Sequence, residues 1–177
     1  MRITSGKYRG LRVQCPPGEI RPAMDRMRES MFAILRDMQG CSFLDLFAGS
    51  GIMALEAASR GANKLYLVEK DKRKSKTLYA NMKMAQEAEV QIRIMDVQRF
   101  IRSLPCAFDF IHLDPPFPFP NKELLLDILG RDPQMSKETL ITIHYPKEDD
   151  LGEKIGNLQR CDLRQYGRSF LGFYRKV

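Results

Sequence analysis

No stretch of this 177-residue chain approaches the roughly 20 consecutive apolar residues that a membrane-spanning helix requires, so a helical membrane protein is excluded. The first ten residues, MRITSGKYRG, lack the apolar centre of a secretion signal, and a cytoplasmic protein is expected. Cysteine is sparse. Cys15, Cys41, Cys106 and Cys161 are scattered without a C-x-x-C pair, which argues against a zinc site and a disulfide framework and suits reduced thiols. No metal is expected, and no internal repeat or low-complexity segment is present. What is there is ordinary: 44% apolar and 29% charged residues, in a chain long enough for one domain with a real core and a short appendage.

The net charge of +7 becomes informative once it is located along the chain. Residues 1–36 carry a balance of +5 and residues 157–177 a balance of +4, which leaves −2 between them. A chain that is basic only at its two ends is expected to carry a local positive surface, for which polyphosphate is the commonest partner.

RITSGKYRGLRVQC alternates short β-like runs around Gly6 and Gly10 and reads as a small hairpin, which PPGEIRP then breaks. In MDRMRESMFAILRDM the residues Met24, Met27, Met31, Leu35 and Met38 recur at three and four, predicting a helix that packs its methionine face inward. From residue 41 strands and helices alternate: SFLDLF, GIMALEAASRG, KLYLVE, DKRKSKTLYANMKMAQ, VQIRIM, VQRFIRSL and FDFIHL. Strand, helix, strand in succession implies parallel pairing through right-handed crossovers, hence an open α/β sheet covered on both faces. ETLITIHYP, LQRCDLRQYG and SFLGFYRKV supply further strand material.

Ligands of such sheets bind at the carboxyl ends of the strands, so those ends carry the chemistry. The first ends in LDLFAGSGIMALEAASRG, where Gly49 and Gly51 permit close backbone approach and a helix N-terminus favours an anionic group. The second ends in Glu69, an acid able to take both hydroxyls of a ribose. Gly49 to Ala54 also satisfies G-x-G-x-x-A with an acid about 20 residues on, so a dinucleotide site stays open on this spacing. Asp96 ends the third, where it can accept from an adenine amino group, cap the following helix, or do both.

The fourth end reads IHLDPPFPFP. Glycine loop, ribose acid and D-P-P-F in this order resemble the class I S-adenosylmethionine-dependent methyltransferases that act on exocyclic amines. The resemblance implies that the Asp114 carboxylate and the Pro115 carbonyl accept hydrogen bonds from an amine whose lone pair is otherwise delocalised, while Phe117 stacks on the base. Prolines fix the backbone that aims the carbonyl. Guanine presents N1–H and N2–H side by side, a pair of donors suited to an acceptor-only carboxylate, so Asp114 leans toward guanine N2, although adenine-N6 enzymes use Asp here too. The target base is expected to be unpaired or flipped out.

RITSGKYRGLRV, RPAMDRMRESMFAIL, FLDLFAGSGIMALEAASRGA, LVEKD and LDPPF are together similar in order and spacing to the bacterial 16S ribosomal RNA guanine-N2-methyltransferase family, over nearly the whole chain. The stretch R-P-x-x-D-R-x-R-E-x-x-F makes that match specific. It implies a Rossmann-like fold with a mostly parallel seven-stranded sheet, an N-terminal hairpin-and-helix appendage over 1–38 that contacts RNA, and a methyltransferase domain over 39–177. Carried onto matching positions, Asp45, Phe47, Ala48, Gly49, Ser50, Gly51, Glu69, Lys70, Asp96 and Val97 hold S-adenosylmethionine, and Asp114, Pro115 and Phe117 act on the base. Arg9, Arg21, Arg26 and Arg28 are the candidate phosphate contacts, the two helical arginines having Asp25 and Glu29 as competing partners.

Ser5 stands where the family usually has a second glycine, Ala33 where an asparagine often follows the phenylalanine, and His144 near a usual glutamate. His112 and His144 are read as packing residues. The expected partner is ribosomal RNA or a partly assembled small subunit, met by a monomer. An adenine-N6 or protein glutamine methyltransferase, and a non-catalytic nucleic-acid-binding domain, are the alternatives.

Overall fold

The computed structural model describes residues 1–17 and 24–177. Arg21 lies outside them, as does most of the PPGEIRP break.

Beyond helix α1 (Met24–Leu35) the chain alternates as the pattern predicts: β1 (Ser42–Asp45), α2 (Ile52–Ser59), β2 (Lys64–Glu69), a 3-10 turn leading into α3 (Ser75–Met82), β3 (Glu89–Ile94), α4 (Val97–Phe100) and β4 (Phe110–Leu113). It continues through α5 (Lys122–Arg131), β5 (Leu140–Pro146), β6 (Lys154–Ile155), β7 (Leu158–Tyr166) and β8 (Ser169–Lys176). The eight strands among the described residues form one sheet in the order β3-β2-β1-β4-β5-β8-β7-β6. Strands β1 to β5 pair in parallel, and β8, β7 and β6 add on antiparallel. The count exceeds the expected seven by the two-residue edge strand β6, too short to leave a periodic signal.

Successive side chains of a strand point to opposite faces, and the two faces carry two cores. Phe43, Leu65 and Leu67 pack with residues of α1, α2 and α3, whereas Leu44, Val68, Ile111 and Leu113 pack with residues of α4 and α5. Strand β5 is buried along its whole length, as a central strand covered on both sides should be.

Helix α5 was not anticipated. Leu125, Leu126 and Leu129 form its buried face, a spacing visible in the sequence, and Asn121 opens it from a left-handed conformation at φ 55°. The expected helix over residues 24–38 ends earlier because Arg36 turns left-handed at φ 64°, yet Met27, Met31, Leu35 and Met38 are all buried as the methionine spacing requires.

The N-terminal hairpin is reduced to a single bridge, Arg2 with Arg12, flanked by hydrogen bonds from Ile3 N–H to Leu11 (3.1 Å) and from Gly10 N–H to Ile3 (2.8 Å). Ile3 and Val13 are buried in the same core as α2.

Candidate active site

Strand order runs one way from β1 through β2 to β3 and the other way from β4 to β5, so the sheet reverses direction between β1 and β4. An open α/β sheet has its binding crevice at that point, beyond the carboxyl ends of the strands. The glycine loop after β1 and the D-P-P-F loop after β4 flank it.

Glu69 ties the glycine loop to the end of β2. Its Oε2 accepts the Gly49 N–H and its Oε1 the Asp71 N–H, both at 2.8 Å. The two glycines differ in what they require. A Cβ on Gly49 would meet nothing closer than its own loop, so that side of the loop is open; a Cβ on Gly51 would lie 2.9 Å from Leu78 and 3.0 Å from Met82. Gly51 therefore serves the packing of α3 as much as the left-handed start of α2 (φ 81°). Buried Asn81 donates to the Ser50 carbonyl at 2.8 Å and to the Gln14 carbonyl at 2.9 Å, holding the loop and the N-terminal segment from one side chain. Ala48 N–H donates to the Val68 carbonyl.

Asp45, paired in register with His112, is buried, and neither of its carboxylate oxygens has a hydrogen-bond partner among the described residues. Burial pushes its carboxyl up to about 8, the charge of Asp114 adds to this, and the nearby Phe47 N–H pulls it only part of the way back. A buried acid without a partner suits a cationic ligand group. Asp96 caps α4 as expected, its side chain accepting the Arg99 N–H at 3.2 Å, and it also pairs with exposed Lys70 at 3.2 Å, a partner not anticipated from the sequence. Val97 behind it is buried.

Asp114, Pro115 and Phe117 follow β4 directly into the crevice, with Pro115 buried and the other two part-exposed. Sequence reasoning missed the group beside them. His144 Nδ1 lies 2.9 Å from Asp114 Oδ1, and its ring meets Phe117 edge-on with centroids 5.4 Å apart. Its signals were its place near the end of LITIHYP and its standing near a glutamate usual in the family that the chain resembles. Buried His112 pairs through Nδ1 with Thr142 at 2.8 Å; burial drives its imidazole down to about 4, so it is neutral at physiological pH and belongs to the packing, as expected. Lys122, also buried, donates to the carbonyls of Phe117 (2.7 Å) and Phe119 (2.9 Å) and pairs with Asp149, so the proline-rich loop is held in shape by one ammonium. Phe119 reaches back to Phe47, ring centroids 5.6 Å apart, which joins the two loops across the crevice.

Of the candidate phosphate contacts, Arg9 and Arg26 are exposed. Arg28 is not. It is 2% exposed, with Nε on Glu56, Nη1 on Asp25 and Nη2 on the Arg2 carbonyl, each at 2.9 Å, so its assignment to RNA is corrected: of the two expected competitors Asp25 holds it, together with Glu56, which was not anticipated. Among the described residues no group of three His, Cys, Asp or Glu side chains is arranged to hold a metal, and no helix is long and apolar enough to cross a membrane.

The model of the family described as conserved hypothetical protein 95 matches residues 1–175. The chain is 30% identical to ribosomal RNA small subunit methyltransferase D of Escherichia coli K12, over 85% of this chain and 77% of the relative. It is likewise 30% identical to the protein of that name from Haemophilus influenzae, over 85% and 81%. A solved structure of a hypothetical protein from Thermus thermophilus superposes with a TM-score of 0.80 at 27% identity, covering 100% of this chain and 99% of that one.

Proposed function

The chain belongs to the conserved hypothetical protein 95 family, and from that premise we propose that it methylates the N2 amine of a guanine in small-subunit ribosomal RNA, using S-adenosylmethionine. The observation that carries this reading is the crevice between β1 and β4. It has a glycine loop and ribose acid on one wall, and on the other a carboxylate and a proline-fixed carbonyl next to an aromatic ring.

The residues fit the cofactor. The unpartnered carboxylate of Asp45 suits a cationic group, the open side of Gly49 admits close approach, and Glu69, whose oxygens each retain a second lone pair, suits the ribose hydroxyls. When bound, the cofactor supplies an electrophilic methyl group on a sulfonium. The rest is done by the chain. Asp114 and the Pro115 carbonyl accept from the amine and draw its lone pair out of the ring, and the rigid prolines hold those acceptors still, so little reorganisation is left for the reaction itself. Phe117 offers its face to the base. Exposed Arg9 and Arg26 contact backbone phosphates.

Two considerations favour guanine in ribosomal RNA. Asp114, an acceptor only when ionised, matches the paired donors of guanine better than the donor-acceptor edge of adenine, and the Escherichia coli and Haemophilus influenzae relatives carry the name of small-subunit ribosomal RNA enzymes. The test is incubation with methyl-labelled cofactor and naked ribosomal RNA, assembled or partly assembled small subunits, DNA or translation factors, followed by nucleoside and peptide analysis. Label in N2-methylguanosine is the expected result; label on adenine or on a protein glutamine overturns it.

A further inference from the structure

His144 is a buried histidine that the mechanism above leaves without a part, yet it touches two of the three groups assigned to the target base, Asp114 and Phe117. Its side chain is 5% exposed and that of Asp114 is 10% exposed, so their contact is made out of water. Nδ1 lies 2.9 Å from Asp114 Oδ1, Nε2 lies 2.8 Å from the Ser169 hydroxyl, and the ring edge packs on Phe117. The Ser169 hydroxyl in turn lies 3.0 Å from the Tyr166 carbonyl.

The hydrogens in this chain can be counted. Ser169 has one, with two neighbours to take it. If it goes to the Tyr166 carbonyl, Nε2 must donate to Ser169. An ionised Asp114 accepts only, so Nδ1 must donate as well and the ring is an imidazolium. If it goes to Nε2, the ring is neutral with its hydrogen on Nδ1. Both arrangements put a hydrogen on Nδ1 facing Asp114, so the serine rotor lets His144 donate to that carboxylate in either charge state.

Asp114 needs such a donor. Its described titratable neighbours include Asp45 from β1, whose own carboxyl is forced upward partly by the Asp114 charge, with Glu69 from β2 acting on Asp45 in the same direction. His112, on the strand that carries Asp114, is neutral. A carboxyl largely removed from water tends to protonate unless a donor faces it, and a protonated Asp114 would lose the acceptor-only character on which its grip of an amine depends.

We propose that His144 is a positioning residue for methyl transfer, holding Asp114 as an oriented carboxylate through Nδ1–H while its ring edge steadies Phe117. The inference rests on the methyl-transfer reading, but its first test does not. In the free protein, the Asp114 carboxyl is titrated by carbon-13 NMR in wild type, His144→Leu and His144→Asn, the asparagine amide taking the place of Nδ1–H. His144→Leu raises the midpoint by about one pH unit or more, and His144→Asn leaves it within about half a unit. An unshifted midpoint in His144→Leu overturns the proposal. Should that variant not fold, His144→Gln, whose amide reaches toward Ser169 instead, takes its place with the same expected rise.

The second test is the rate of RNA methylation against pH. The acid limb moves upward in His144→Leu and returns in His144→Asn, while cofactor affinity by calorimetry stays within about twofold of wild type in both; an acid limb that does not move overturns the proposal. If wild type methylates no guanine, the functional reading fails while the titration still judges His144.

Discussion

Arg28 Nε lies 2.9 Å from Glu56 Oε1, with the arginine 2% and the glutamate 0% exposed. This buried pair joins α1 to α2, and Glu56 extends the network by accepting from the Thr4 N–H at 2.9 Å, the Thr4 hydroxyl at 3.0 Å and the Arg60 guanidinium. The N-terminal segment that carries exposed Arg9 is thus mounted on the helix that follows the glycine loop. A glutamate in the centre of an apolar helix would be costly alone; with two arginines and a threonine every lone pair is used.

Glu56→Ala leaves buried Arg28 with only the largely exposed Asp25 as a charge partner, and removing the buried member of such a pair costs about 3–5 kcal/mol. For a chain of this size the melting temperature should fall by roughly 6–20 °C by calorimetry.

RNA affinity should weaken steeply with salt, and Arg9→Ala or Arg26→Ala should each lower the slope of log affinity against log salt by about 1 or less. Arg28→Ala should instead act on stability, since its guanidinium is committed inside the protein. Filter binding across a salt series, with melts of the same variants, separates the two behaviours.

The two loop glycines should fail differently. Gly51→Ala meets Leu78 and Met82 as well as an unfavourable φ of 81°, and should cost about 1–3 kcal/mol of folding stability. Gly49→Ala has space and pays only for its φ of 54°, about 1–2 kcal/mol, but places a methyl on the open side of the loop, so its larger effect should be on cofactor affinity by calorimetry.

Asp45 should make the free protein less stable as pH rises. Its carboxyl is raised to about 8 in the fold against about 3.9 unfolded, so the native state binds the extra proton between those values. The associated stability is fully present below about pH 4 and is lost as pH climbs through about 8. Asp45→Asn should remove that slope in denaturant melts from pH 5 to 9. Cofactor affinity should move the other way, rising over about pH 7 to 9 in wild type as Asp45 ionises, and staying flat in the variant.

Asp114→Ala should keep cofactor affinity by calorimetry while lowering the turnover of methyl transfer by about 100-fold or more, as expected for removing an acceptor that is aimed at the reacting amine. An undiminished turnover would remove Asp114 from the chemistry.

Local pattern alone carried the parallel sheet, the glycine loop, Glu69 and the D-P-P-F loop, because each depends on residues close in sequence: apolar runs of strand length, glycines where φ turns positive, prolines where backbone must be rigid. The methionine spacing likewise specified the buried face of α1, and LLLDIL held a helical signal that the preceding prolines obscured. Pairings across long separations were decided only by the tertiary structure. Nothing near Arg28 in the chain announces Glu56, 28 residues on, which turned an expected RNA contact into a buried ion pair. Nor does LITIHYP reveal that β5 pairs beside β4 and so sets His144 against Asp114. A side chain's charge and shape are written locally, but its partner is set by which strands become neighbours, and in this sheet the order reverses where the chemistry lies.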